Sequence, residues 1–89
     1  MYYASKIRMN DYCYNSSSLT DIKEIFISGM GWYKKEYLYN FLKQNPDSIK
    51  VNKYPYPSLI PAVSSKNEKY VRSTPNDLIR DNLLELPRE

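Results

Sequence analysis

The sequence predicts an α+β domain: a small, mainly antiparallel sheet in the order β-β-α-β-β-β, one helix packed on it, and a C-terminal tail. Three observations predict it. Residues 2–9 alternate with the period of a half-buried strand, apolar residues take helical spacing once between Tyr33 and Gln44, and two β-rich runs flank a polar turn at residues 64–68. Eighty-nine residues bury only about 60–65% of the unfolded chain's surface, so the core is thin and a deep cleft has little room.

In the first strand, Tyr3, Ile7 and Met9 are expected on one face and Lys6 and Arg8 on the other. Turn-forming residues, Asn10-Asp11 and Asn15 to Ser18, lead to a second strand from Leu19 to Ser28, rich in β-branched and aromatic side chains (Ile22, Ile25, Phe26, Ile27). These two strands are expected to form an antiparallel hairpin with a long loop. Gly29-Met30-Gly31 ends the second strand. In the helix from Tyr33 to Gln44, Tyr37, Leu38, Phe41 and Leu42 share a face, and Lys34, Lys35 and Lys43 reach solvent. Asn45-Pro46 supplies the stop.

A short strand is expected from Ile49 to Lys53. The two prolines of Tyr54-Pro55-Tyr56-Pro57 then impose an extended, poorly paired backbone. Leu59 to Val63 and Lys69 to Ser73 form the last hairpin, with Pro61 confining its strand to an edge or bulge. Residues 1–73 make one body. Residues 74–89 make a tail whose Leu78, Ile79, Leu83, Leu84 and Leu86 give it an apolar surface with which to dock. Thr74, Pro75 and Asp77 have the spacing of a helix start.

The run Lys69-Tyr70-Val71-Arg72-Ser73-Thr74-Pro75-Asn76-Asp77, ending in Asp81-Asn82-Leu83-Leu84-Glu85-Leu86-Pro87, resembles the signature of the DUF3892 family of small bacterial proteins. That signature is an aromatic strand, an Arg, an Asp a few residues on, and then Asp-Asn-Leu-x-x-Leu-Pro. Tyr2-Tyr3, Arg8 and Trp32 before the helix are compatible with it. The hairpin turn departs, with Lys66-Asn67-Glu68 where the family carries Asn-Gly, and Tyr33 stands where the family's helix opens with Ser or Thr. The family's function is unknown, so the resemblance implies an architecture and no activity.

The sequence contains no histidine, one cysteine and two glycines. That removes the commonest general base and metal ligand, any Cys-His pair and a glycine-rich phosphate loop, so no enzyme activity and no cofactor are expected. Arg72, Asp77, Asp81 and Asn82 form the densest polar group. Two carboxylates four residues apart can hold a divalent cation, but the reading adopted is structural, with Arg72 pairing with an aspartate while the others cap turns, and no metal. Cys13 alone cannot form an intrachain disulfide, no run approaches the ~20 apolar residues of a membrane span, and the N-terminal residues lack a signal peptide's apolar stretch. A cytoplasmic location and no membrane partner are expected.

Ten tyrosines and a tryptophan favour a binding role, although an AT-rich genome produces a similar bias. Charge is uneven, with 11 Lys/Arg against 6 Asp/Glu over residues 1–72 and 2 against 4 over residues 73–89. Trp32, Tyr33, Lys34, Lys35, Tyr54 and Tyr56 are the candidate contacts for a partner protein, since aromatic rings in loops or at a first helical turn supply rigid contact area. The expected function is non-catalytic protein binding. By analogy with small phage and mobile-element accessory proteins, it includes inhibition of a host defence system such as a CRISPR nuclease complex. The alternative is nucleic-acid binding through the interleaved lysines and tyrosines. Oligomeric state does not follow from the sequence.

Overall fold

A computed structural model describes residues 2–75 and 81–89. Six strands and one helix follow in the order β1 (Tyr2–Met9), β2 (Ile22–Ile27), β3 (Gly31–Lys34), α1 (Lys35–Gln44), β4 (Ile49–Val51), β5 (Leu59–Val63) and β6 (Lys69–Ser73), with single 3₁₀ turns at Leu19–Asp21 and Asn82–Glu85. The fold is α+β, as the residue pattern predicts. Four strands form a sheet in the order β3-β2-β1-β4, and β5-β6 form a separate antiparallel pair.

β1 organises the larger sheet, pairing antiparallel with β2 and parallel with β4. A register shift between Ala4 and Lys6 changes which of its residues face inward. Ala4, Ile7 and Met9 are buried, while Tyr3, expected on that face, is exposed. An extra residue in one strand reverses the alternation beyond it, and nothing in the local composition marks the position.

The second strand is shorter than expected because Leu19–Asp21 wind into a 3₁₀ turn before it. The helix is shorter for a more consequential reason. Tyr33 and Lys34, expected in its first turn, belong to β3, which hydrogen-bonds to β2 with Glu24 opposite Lys34 and Phe26 opposite Trp32. The turn between the two strands carries Gly29 at φ +84° and Gly31 at φ +116°, conformations that cost glycine little. Helix α1 then begins at Lys35, buries Leu38 and Leu42, and ends at Gln44, capped by Asn45, whose N–H and side-chain amide both donate to Phe41 O.

One core joins both sheets, the helix and the tail. Ile7, Ile25 and Ile27 from the larger sheet meet Leu38 and Leu42 of α1, Leu59 and Val71 of the hairpin, and Leu83, Leu84 and Leu86 of the tail. The tail also completes the sheet. β4 covers β1 only from Tyr2 to Ala4. Beyond it, Ile7 N–H donates to Pro87 O at 2.9 Å and Glu89 N–H donates to Ile7 O at 3.0 Å. Arg88 straps this segment down, its guanidinium donating to the carbonyls of Tyr14 (2.6 Å), Ser16 (2.8 Å) and Leu84 (3.2 Å).

Candidate interaction surfaces

The six candidate contacts do not form one patch. Successive strand residues point to opposite faces, so Trp32 and Tyr33 separate. Tyr33, opposite Ile25, packs against the core and stacks on Tyr37 of α1 with ring centroids 5.1 Å apart and planes 17° from parallel. Trp32 lies on the outer sheet face, away from the helix, with its ring edge-on to Phe26 at 5.4 Å.

That outer face carries a ladder of rings and charges. The Arg8 guanidinium sits 4.2 Å from the Trp32 ring centroid and donates to Glu24 at 2.8 Å. Lys6 lies 5.1 Å from the Phe26 centroid and 3.3 Å from the Glu89 carboxylate. Each cation is thus held between a ring and a carboxylate, an arrangement worth roughly 0.5–1 kcal/mol per cation–π contact at an exposed site. Phe26, Arg8 and Glu24 were not among the candidate contacts. Period-2 alternation does place Lys6 and Arg8 opposite Ile7, and extending it to β2 would have placed Phe26 beside them.

Lys35 is a correction. It was expected to reach solvent, yet it is only 5% exposed. Its ammonium donates to Thr20 O and to Glu68 at 2.7 Å, tying the helix start to the turn before β2 and to the β5-β6 turn. A buried ammonium needs such partners because desolvation is costly. Lys35→Met is expected to lower stability by about 1–3 kcal/mol, since Thr20 O loses its donor. Glu68→Gln is expected to change it by less than about 1 kcal/mol, because Glu68 is half exposed. Paired thermal melts check both.

Tyr54 and Tyr56 stand on the β4–β5 loop, 77% and 49% exposed, their rings edge-to-face at 6.2 Å. The loop is not the extended segment expected from its prolines. Tyr56 N–H donates to Lys53 O at 2.8 Å, closing a turn with a cis Tyr54–Pro55 peptide and Tyr56 at φ +59°. A left-handed backbone at a bulky residue costs on the order of 1–2 kcal/mol and persists only where its surroundings hold it. Here Val51 N–H donates to Pro57 O on one side. From beneath, the fully buried Asn82 amide donates to Lys53 O (3.0 Å) and Tyr54 O (2.9 Å).

Each described polar residue of the tail motif is engaged within the chain. Asp81 accepts from Ser73 Oγ (2.7 Å) and Leu83 N–H (2.9 Å), with Arg72 Nε 3.9 Å away. Asp77, the other carboxylate of the cation alternative and the third residue of the expected helix start, lies outside the described residues, as do Leu78 and Ile79. Among the described residues no three His, Cys, Asp or Glu side chains are grouped to hold a metal ion, and no helix is long and apolar enough to cross a membrane.

Comparison with family models, curated proteins and solved structures finds no match. The strand order separates the candidate surfaces. Trp32 and Lys34 lie on β3 at one sheet edge, while Tyr54 and Tyr56 follow β4 at the other. Three strand spacings of about 4.8 Å separate the two edges.

Proposed function

We propose that this chain is a non-catalytic binding protein that engages another protein through Tyr54 and Tyr56. The observation that carries the proposal is the pair of exposed rings on a loop fixed from beneath by Asn82. Aromatic side chains held in place before binding lose little conformational entropy on association, which is why rigid tyrosines recur at binding hot spots. Nucleic acid is the weaker reading because Arg8 and Lys6 are already paired with Glu24 and Glu89. The Trp32 ring, the best stacking platform, has Arg8 over it. Membership of the DUF3892 family, a cytoplasmic setting and a role as a phage or mobile-element inhibitor of host defence belong to the same proposal. The terminal motif, the lone Cys13 and the small size support them.

The test is affinity capture from host lysate with the tagged chain and with its Tyr54→Ala/Tyr56→Ala variant, with and without nuclease. The expected result is a discrete protein set that survives nuclease and falls at least about tenfold with the variant, while its melting temperature stays within a few degrees. Nuclease-sensitive, salt-dependent capture would shift the assignment to nucleic acid. Undiminished capture by the variant would exclude this loop.

A further inference from the structure

We infer that the free edge of β3 captures an extended peptide strand of another protein whose residues alternate apolar and acidic. Among the described residues, β3 ends the sheet and pairs with β2 alone. The other margins are occupied. The far side of β4 meets Ser58 through the Lys50–Ser58 bridge, and the open part of β1 is filled by Pro87 to Glu89. A bare edge presents a row of main-chain donors and acceptors, and an incoming strand gains main-chain hydrogen bonds there whatever its sequence.

The two sides of β3 set the side-chain pattern. On the helix side Tyr33 stacks on Tyr37 of α1, and Met30 stands in the turn before β3. Met30 and Tyr37 are 42% and 54% exposed. A strand beside β3 places every second residue on this helix side, where the exposed Met30 and Tyr37 side chains favour Val, Ile or Leu. The intervening residues fall on the outer face beside exposed Lys34, with Arg8 one strand beyond and Glu24 between them. Carboxylates suit that side. A second copy of this chain fits less well, because it brings its own Lys34 to the same face, and like charges across a strand pair repel.

The probe is an acetylated, amidated octapeptide alternating Asp with Val and Ile, titrated into the isotope-labelled full chain and followed by amide NMR shifts. Shifts centred on Gly31 to Lys34, with cross-strand contacts to the peptide, are expected. Tyr37→Lys is expected to weaken binding at least about tenfold without moving the melting temperature by more than a few degrees. Lys34→Glu is expected to weaken the Asp peptide and favour a Lys-for-Asp counterpart. Tyr54→Ala/Tyr56→Ala is expected to leave the titration unchanged, which separates this edge from the loop surface. The inference is overturned by equal binding of the Lys counterpart to the unaltered chain, by shifts centred elsewhere, or by no shifts at millimolar peptide. Sedimentation showing a dimer that Tyr37→Lys dissociates would also overturn it, assigning the edge to a second copy.

Discussion

Truncation after Ser73 is expected to leave a chain with no cooperative thermal transition. Leu83, Leu84 and Leu86 are at most 5% exposed within the single core, and burying a leucine contributes about 2–5 kcal/mol by the cost of its loss to alanine. The whole stability of a domain is about 5–15 kcal/mol. Freed from its ordering cost, the released segment offsets part of the loss, but Ile7 also loses both main-chain partners at Pro87 and Glu89. Leu83→Ala is the milder companion, expected to lower the melting temperature by on the order of 10–30 °C. Circular dichroism melts and amide dispersion check both. A sigmoidal melt for the truncated chain within a few degrees of the parent would mean that the tail does not hold the fold.

Asn82→Ala is the second large effect. It removes the donors to Lys53 O and Tyr54 O and leaves a cavity beneath the loop. A cost of about 2–4 kcal/mol follows from the lost hydrogen bonds and the vacated volume. Asn82→Asp is isosteric but accepts only. It sets a carboxylate against two carbonyls and is expected to be worse than alanine. Either variant is expected to weaken protein capture even at temperatures where it remains folded, because Tyr54 and Tyr56 lose their fixed presentation. Full capture by a folded Asn82→Ala chain would show that loop rigidity is irrelevant to binding.

The residues that form local structure were legible in the sequence, and those whose role depends on distant partners were not. The β5-β6 hairpin is bounded where its β-rich runs are bounded, and the helix ends at Gln44, just before Asn45-Pro46, as the sequence predicts. β3 was hidden because Tyr33, Tyr37 and Phe41 keep a four-residue spacing across the strand–helix junction, so the helical period reads through a strand. Glu24 and Lys34 facing each other in register were the missed signal. β4 has three residues and pairs parallel, too short for alternation to declare its direction. Lys35 looks like a surface lysine because its carboxylate partner, Glu68, lies 33 residues on. That Tyr54 and Tyr56 stand exposed on a loop was legible, but only the fold shows that Asn82 supports that loop.

The bond between Ile7 and Pro87 has a kinetic consequence. β1 is synthesised before every one of its partners, and its last neighbour follows about eighty residues later in the chain. Closing so large a loop is entropically costly and slows the search for the native pairing. Until the segment from Pro87 to Glu89 arrives, the Ile7 edge is an unprotected strand margin on a nascent chain, where association with other chains competes with folding. The strap made by Arg88 holds that segment in place. The segment from Pro87 to Glu89 completes a strand made about eighty residues earlier and covers a margin otherwise open to misassembly.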